Sequence, residues 1–397
     1  MPSVERSGAL ETRGAISRFR APLTRRADGH EEEVAVDVET EARTSPSPSL
    51  GMTNLVARPA DHDSPTDREL VLRILREYFA ATSGDDADAR YHWLYLSNPH
   101  GTARTYLAID QTTGAPVGIT SLFPRRVRVG VHDAIGAIGG DAFVTPSHRR
   151  RGIVTALHRL AHADLGDQLA FMFGPPEPNN LRALLQAGAK LTGAVRRYTR
   201  ALRIDGLGPR GARYASILRP LAKLFAPPKS PFSVETIREP FDPRVDAVWQ
   251  SLLDRSESAR RVIPVRDAAF YAWRFGASAP GRQRGVVVLD GAAPIAVGAI
   301  ERAGDRAAIV DITCSELRFR SVVRALLQGC GDASAVDIQI HAPSAIKQAA
   351  LASLGFVPRG TKAFQVQSKD SFEHHALVTT PSAWHYTWGD GDVDHVL

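Results

Sequence analysis

Residues 147–157 read SHRRRGIVTAL, so three consecutive arginines and a glycine directly precede an apolar-periodic helix. The helix lacks the usual Ser or Asp start signal, and its first backbone N–H groups therefore need another partner. The N-terminus of a helix attracts an anion, because the aligned peptide dipoles and the free N–H groups point toward it. We predict that this segment binds a phosphate group.

The residue types of this loop suit that ligand. Gly152 lets a phosphate approach the backbone closely, and the side chains of Arg149, Arg150 and Arg151 add guanidinium forks that match phosphate oxygens. A glycine in the first turn weakens a helix by about 1 kcal/mol, and this cost indicates that Gly152 is present for a functional reason. The alternative is a basic helix start that makes surface contacts only.

The loop must be positioned by a strand before it, GGDAFVTP, and by the helix after it. Upstream, a short strand at 55–57 leads to a helix with Leu70, Ile74 and Tyr78/Phe79 on one face. Two strand-like runs follow, TYLAID and PVGITSLF, separated by the turn QTTGA. This order predicts a sheet with helices packed on it.

Four segments of the first half of the chain recur in the same order in the second half. Residues 91–101 (YHWLYLSNPHG) return at 271–281 (YAWRFGASAPG), and RRRGIVTAL at 149–157 returns as RFRSVVRAL at 318–326. An Ala-Pro strand and a closing helix followed by a Gly-initiated strand also repeat. The repetition indicates duplication. We predict a mixed α/β (α+β) fold of two tandem domains, each a mixed, mostly antiparallel twisted sheet flanked by helices.

Composition divides the chain further. The N-terminal segment has one aromatic residue, Phe19, and ends in TSPSPS, which predicts disorder. The region between the repeats is rich in Pro, Gly, Arg and Lys and contains a basic amphipathic stretch, which we interpret as a linker helix. The predicted divisions are a disordered tail at 1–52, a first domain at 53–200, a linker at 201–232, a second domain at 233–367 and a C-terminal tail at 368–397.

Charge and cysteine content restrict the class of protein. The net charge of +6 over 397 residues favours anionic partners but is too dilute to indicate nucleic acid. Only Cys314 and Cys330 occur, without metal-ligand spacing, which predicts a reducing, cytoplasmic location. His158 and His162 have no third ligand, so no metal site is predicted. No apolar run is long enough to predict a membrane span.

The segment VTPSHRRRGIVTALHRL resembles the acetyl-CoA pyrophosphate loop of the GNAT (Gcn5-related N-acetyltransferase) superfamily, Arg/Gln-x-x-Gly-x-Gly/Ala. Arg149, Gly152 and Val154 stand at the motif positions, although Val154 replaces a small residue. VARPADHD at the first strand and PNNLRALLQAGAK after the fifth support the resemblance. It covers 53–200 strongly and 233–367 weakly, and the layout is similar to that of bacterial two-domain members.

The resemblance implies acetyl-CoA as cosubstrate, held by the loop through Ile153 and Val154 as well as the arginines. The pantetheine would lie between the fourth and fifth strands, where backbone amides near Phe143 and Val144 would polarise the thioester carbonyl. We expect Asn179 and Asn180 to cap the next helix, and contact with amide groups of the cosubstrate is the alternative.

In this family the acceptor amine attacks the thioester directly, so a general base must remove its proton. Asp141, on the strand before the loop, is the first candidate, and Glu177 is the second. The alternative for Asp141 is a hydrogen-bonded structural carboxylate. The helix after the fifth strand lacks the tyrosine that protonates the leaving thiolate in many family members.

The predicted function is acetyl-CoA-dependent transfer of an acyl group to a primary amine of a small molecule or amino-sugar, with a structural second domain. Two alternatives remain, namely a non-catalytic CoA-binding scaffold and a FemAB-like aminoacyl transferase that uses charged tRNA. The C-terminal tail either packs on the body or lines the acceptor pocket. The tail residues in question are Trp384, Tyr386, Trp388, Asp390 and Asp392.

Overall fold

The computed structural model describes residues 22–27, 30–35, 54–82, 86–166, 168–204, 206, 225–238, 241–277, 279 and 281–392. Two strands, β1 (Pro22–Ala27) and β2 (His30–Ala35), pair antiparallel within the segment that the sequence predicts to be disordered. Residues 207–224, which include most of the predicted linker helix, lie outside the described residues. The domain boundaries therefore stay predictions.

Both halves of the described chain contain helices and strands in a similar order. The first half contains β3 (Leu55–Ala60), α1 (Pro65–Ala81), α2 (Ala87–Arg90), β4 (Arg104–Asp110), β5 (Pro116–Val129), β6 (His132–Val144), α3 (Ile153–Ala163), β7 (Phe171–Gly174), α4 (Pro178–Gln186) and β8 (Lys190–Ala201). The second half contains β9 (Ser233–Thr236), α5 (Pro243–Leu253), β10 (Val262–Pro264), α6 (Ala268–Phe275), β11 (Gln283–Asp290), β12 (Ala293–Ala303), β13 (Arg306–Thr313), α7 (Phe319–Gly329), β14 (Ala335–His341), α8 (Ala345–Ser353), β15 (Val357–Ser368) and α9 (His375–Val378).

The strands β3 to β15 form one mixed sheet in the order β3-β4-β5-β6-β7-β15-β8-β14-β13-β12-β11-β9, with β10 paired to the end of β5. In each half, four strands pair antiparallel and the fourth pairs parallel with a fifth: β6 with β7, and β13 with β14. The predicted fold class, a mixed and mostly antiparallel α/β sheet flanked by helices, is confirmed.

The two halves exchange their last strands. β15 of the second half lies between β7 and β8, whereas β8 of the first half lies between β15 and β14. Each half therefore completes its sheet with a strand of the other, and the sheet is continuous across the molecule. The duplication that the sequence indicates thus produces two interlocked halves instead of two separate sheets.

Helices cover both faces of the sheet. On β4, Leu107 packs with helix α1, whereas the neighbouring Tyr106 packs with α3, because successive strand residues point to opposite faces. α1 begins after Ser64, whose side chain caps it, and buries Ile74 as the apolar periodicity predicts. In the described part of the chain, no helix combines the length and the apolar character needed to cross a membrane.

Two tryptophans join the halves. Trp93 and Trp273 stack with their ring centroids 5.2 Å apart, and the Nε1–H of each donates a hydrogen bond of 3.1 Å to the backbone carbonyl of the other. Such a reciprocal contact is what equivalent residues make across a two-fold axis. The same two residues stand at the same offset in the sequence repeat, so the contact supports the duplication.

The C-terminal tail packs on the body over most of its described length. Trp384 is buried 4.7 Å from the ring of Phe173, and Tyr386 is buried 5.0 Å from the ring of Phe364. Trp384 and Tyr386 therefore belong to the hydrophobic core. The alternative that these two residues line an acceptor pocket is wrong.

A buried ion-pair cluster, which we call the tail clamp, fixes the end of this tail. Arg266 is fully buried; its Nη2 lies 2.5 Å from Asp390 Oδ2, and its Nε lies 3.1 Å from Asp311 Oδ1. The other oxygen of Asp390 pairs with Arg125 at 3.1 Å, and Thr387 also donates to Asp311. Burial alone would lower the pKa of Arg266, but the two carboxylates outweigh that effect and raise it.

Replacing Asp390 by Asn should destabilise the protein by about 3–5 kcal/mol, because the substitution leaves Arg266 and Arg125 buried without their shared carboxylate. Urea unfolding followed by circular dichroism measures this. The control is Asp332→Asn, which removes an equally short ion pair to Arg302 on the surface, and its unfolding midpoint should stay at the wild-type value. Equal midpoints for both variants would contradict a stabilising role of the clamp.

Candidate active site

The parallel strands β6 and β7 run side by side over three residues only. Residues 136–138 pair with 171–173, and beyond this point β6 continues against β5 alone as far as Val144. β7 ends at Gly174, whose φ of 134° strongly favours glycine, and the chain turns away into α4. A V-shaped opening, which we call the first wedge, therefore lies between residues 139–144 and the start of α4.

The backbone N–H of Val144 points into the first wedge. The N–H of Thr145 donates to Val117 on β5, and the carbonyl of Val144 accepts a hydrogen bond from Arg149 instead. Because successive peptide groups of a strand point to opposite sides, the N–H of Val144 points into the wedge and that of Phe143 points toward β5. Of the two amides predicted to polarise a carbonyl, the geometry favours Val144.

The loop at residues 145–152, which the sequence predicts to bind phosphate, leads directly from the wedge. After a 3-10 turn at Pro146–His148, Arg150 and Gly152 adopt left-handed φ values of 63° and 77°, and α3 begins at Ile153. Gly152 is the N-cap and provides no side-chain hydrogen bond, so the first N–H groups of α3 are available to a ligand. The predicted start of the helix and its lack of a side-chain cap are present in the structure.

The side chains of the loop separate into two groups. All three arginines are exposed; Arg149 turns back, and its Nε donates to the carbonyl of Val144 at 3.1 Å. Ile153 is buried so tightly that a Cβ built on Gly118 would lie 2.8 Å from it, and Val154 packs against the same core. Because Val154 packs on the core, its extra bulk does not narrow the loop, and both residues offer their backbone N–H groups only.

The start of α4 differs from the prediction. The helix begins at Pro178, with Glu177 as the N-cap and no capping hydrogen bond from its side chain. Asn179 and Asn180 therefore lie within the first turn, so the prediction that they cap the helix is wrong; the fixed φ of Pro178 suits it to the first helical position. The carboxylate of Glu177 is exposed and lies 2.9 Å from Lys362 Nζ.

Asp141 lies on a bulge of β6 at the edge of the wedge. Two residues of β6, Asp141 and Ala142, oppose one residue of β5, and Asp141 has a φ of 49°. Its carboxylate accepts hydrogen bonds from Arg90 at 2.9 and 3.1 Å and from the Tyr95 hydroxyl at 2.8 Å. With both oxygens engaged in a buried ion pair, Asp141 has the contacts of the structural carboxylate that the sequence left as an alternative.

Tyr78 packs on the core with the other apolar residues of α1, as the sequence pattern predicts, and it also lies next to Phe143 at the wedge. Its ring centroid lies 5.3 Å from that of Phe143, and the residue is half-buried. Burial raises the pKa of the Tyr78 phenol, and the nearby charges of Asp141 and Asp392 raise it further. The phenol is therefore neutral and can donate a proton.

The C-terminal tail reaches the first wedge at Asp392. A side chain on Gly140 of β6 would collide with the carboxylate of Asp392, which also lies 3.5 Å from Arg90 Nη2. Burial raises the pKa of this carboxyl to about 6, Arg90 opposes the shift, and Asp141 adds to it. A carboxylate with this pKa at the wedge can accept a proton near neutral pH. Among the described residues, no three potential metal ligands cluster here or elsewhere.

Comparison with protein-family models and with curated proteins gives no match for this sequence. Comparison with solved structures gives matches. A GCN5-related N-acetyltransferase from Anabaena variabilis ATCC 29413 has a TM-score of 0.56 at 14% identity, covering 78% of this chain and 72% of that chain. A conserved protein of unknown function from Enterococcus faecalis V583, described as a probable N-acyltransferase, has a TM-score of 0.55 at 12% identity, with coverages of 79% and 72%.

Saccharomyces cerevisiae N-myristoyltransferase, solved with bound myristoyl-CoA and inhibitors, has a TM-score of 0.52 at 12% identity and covers 89% of each chain. At these identities the likeness concerns the fold. The chain has the GCN5-related N-acetyltransferase fold. The fold that the sequence resemblance implies is thereby confirmed.

The second half of the GNAT fold repeats the residues around Asp141. Asp311 on β13 accepts hydrogen bonds from Arg266 and from the Tyr271 hydroxyl, as Asp141 does from Arg90 and Tyr95. In both halves the arginine precedes the tyrosine by five positions. In the sequence repeat, Tyr271 aligns with Tyr91, which lies one helical turn before Tyr95. The repeat therefore does not reveal the shared Arg-x4-Tyr pattern.

The second wedge, between β13 and β14, is closed. Thr387 of the tail bridges to Ile340 of β14, and the N–H of His341 donates to the Tyr386 carbonyl. The loop also differs, because a 3-10 turn at Glu316–Arg318 continues directly into α7 without a left-handed residue. The second half thus lacks both the open wedge and the left-handed loop residues that the first half has.

Replacing Gly152 by Glu should abolish CoA binding, because the substitution forces a side chain and a negative charge onto a left-handed position at the start of α3. Calorimetric titration with CoA measures this. The control is Gly291→Glu in the turn after β11, where φ is 61° and a Cβ would meet no atom within 4 Å. This control should keep wild-type affinity, whereas a folded Gly152→Glu protein with unchanged affinity would contradict the loop assignment.

Proposed function

We propose that the protein is an acetyl-CoA-dependent N-acyltransferase that acts on a primary amine of a small molecule or amino-sugar, with catalysis in the first half. The observation that carries the proposal is the junction at the end of β6. The strand ends at Val144, whose N–H points into the wedge, and eight residues later the uncapped, left-handed Gly152 opens the phosphate loop. One extended ligand with a phosphate group at one end and a polarised carbonyl at the other fits this arrangement.

In the proposed complex, the N–H groups of Ile153 and Val154 bind the pyrophosphate, and the exposed Arg150 and Arg151 supply counter-charge. Arg149 has a different role, since it binds the Val144 carbonyl and so fixes the peptide group that follows the Val144 N–H. Asn179 and Asn180, in the first turn of α4 on the opposite side of the wedge, remain candidates for contacts with the amide groups of CoA.

The proposed chemistry assigns one proton transfer to each of two side chains. The amine nitrogen attacks the thioester carbon while the Val144 N–H stabilises the charge on the carbonyl oxygen. Asp392 accepts the proton that the amine loses, and the Tyr78 phenol donates a proton to the sulfur as the C–S bond breaks. Tyr78 thus takes the role for which α4 offers no tyrosine.

The charges around the wedge favour a cationic acceptor. Asp141, Asp392 and Glu177 all lie close enough to affect the pKa of Tyr78, and Arg90 opposes them. An ammonium group is attracted to such a site; it releases one proton to solvent before it attacks, and Asp392 accepts the second as the amide bond forms. We propose that Glu177 attracts the acceptor and that Asp141 positions Arg90 and Tyr95, which is a change from its predicted role as the first candidate base.

The experiment that tests this function follows the release of CoA thiol from acetyl-CoA in the presence of amino-sugars, polyamines, aminoglycosides and peptide amines. Turnover with one class of amine is expected, and longer acyl-CoA thioesters test the preference for acetyl. CoA binding without thiol release for any amine would instead support the scaffold alternative. Aminoacyl transfer from charged tRNA without CoA binding would support the FemAB-like alternative.

The pH dependence of kcat/KM should report Asp392. Because burial raises its pKa to about 6, the carboxylate is present above this pH and is lost as the pH falls through it, so kcat/KM should fall about tenfold per pH unit below 6. In Asp392→Asn, kcat/KM should be about 100-fold lower and should lose this acidic limb. The control is Asp370→Asn, at an exposed ion pair with Lys190. An unchanged acidic limb in Asp392→Asn would exclude Asp392 as the base.

A further inference from the structure

A small cavity lies in the second half of the fold, just beyond the end of β13. Its volume is about 50 Å³, room for a few water-sized groups. Its wall includes Arg255, Arg261, Cys314, Glu316, Lys347 and His385. Cys314 follows β13 as Thr145 follows β6, so the cavity lies beyond the strand end that corresponds to the end of β6 in the first half.

The charged side chains of this cavity are mainly cationic. Arg255, Arg261 and Lys347 face one carboxylate, Glu316. Glu316 is already engaged, because it accepts a hydrogen bond from the Ser344 hydroxyl and lies 3.8 Å from Arg261. Burial lowers the pKa of Lys347, as is typical of an ammonium group removed from water. The cavity therefore has an excess of positive charge.

Two neutral titratable side chains, His385 and Cys314, also line the cavity. The Nε2 atom of His385 is buried and has no hydrogen-bond partner within the described part of the chain. Burial lowers the pKa of His385, and the charges of Arg266 and Lys347 lower it further, so the ring is neutral. Burial also raises the pKa of the Cys314 thiol to about 12, so this cysteine is not a nucleophile. A buried polar atom without a partner indicates a missing hydrogen-bonding group.

Two exposed aliphatic residues are sequence neighbours of residues that line the cavity. Leu317, which follows Glu316, is 82% exposed, and Ile346, which precedes Lys347, is 52% exposed. The hydrogen bond between Ser344 and Glu316 holds these two turns side by side. Two large aliphatic side chains are thus exposed next to a cationic cavity, where an apolar chain attached to an anionic group would contact them.

We propose that this cavity binds the carboxylate of a small amphiphilic acid, whose apolar chain lies over Leu317 and Ile346. A monoanion is favoured over a phosphate dianion, because Glu316 lies in the wall and repels additional negative charge. The site is distinct from the first wedge, and binding there does not depend on acyl transfer in the first half.

Titration of the full chain with hexanoate tests the proposal. Lys347→Met should weaken hexanoate binding at least tenfold, because it removes a half-buried cation of the cavity wall and keeps an unbranched side chain. Lys190→Met, at an exposed lysine paired with Asp370, should leave the affinity unchanged. Across acetate, butyrate and hexanoate, affinity should rise by about twofold per methylene group, as expected for a half-buried chain.

A second pair of variants tests the mouth without disturbing the core. Leu317→Ser should reduce hexanoate affinity about fivefold and leave acetate affinity unchanged, whereas Val131→Ser, at a residue 58% exposed in another turn, should change neither. Absence of hexanoate binding, or equal binding by wild type and Lys347→Met, would overturn the proposal. Phosphate that binds as tightly as hexanoate would overturn the assignment of the ligand as an amphiphilic acid.

Discussion

The buried ion pairs of Arg266 with Asp311 and Asp390 determine how the two halves differ. A guanidinium group with no exposed surface requires carboxylates around it, and one of the two comes from the C-terminal tail. The clamp therefore holds the tail in the second wedge. Two residues beyond Asp390, the same tail places Asp392 beside Gly140 at the first wedge. The tail clamp thus both keeps the second wedge closed and holds Asp392 at the first wedge.

The duplicated halves keep the same local chemistry around one aspartate and use it differently. In the first half, Arg90 and Tyr95 hold Asp141 beside an open wedge, while Arg266 and Tyr271 hold Asp311 beside a closed one. The exchange of β8 and β15 makes the halves interdependent, because neither has a complete sheet alone. A structural second half and a proposed catalytic first half are compatible with this arrangement.

Local signals in the sequence were sufficient to predict much of the site. The helix start at Ile153 and its lack of a side-chain cap follow from residue types within one turn, and the repeat shows Trp93 and Trp273 at the same offset. Features that depend on distant contacts were missed: Asp141 pairs with residues about 50 positions away, and Tyr78 resembles any other residue on an apolar helix face. The cap prediction for Asn179 and Asn180 failed because Pro178 already starts the helix.

The asymmetry between the two wedges is the central claim, and the number of CoA molecules bound per chain tests it most directly. Equilibrium titration of the full-length protein with CoA, with the protein concentration determined independently, gives this number. The account predicts one, because only the first half combines an open wedge with the left-handed loop at Gly152. A stoichiometry of two CoA molecules per chain would contradict it.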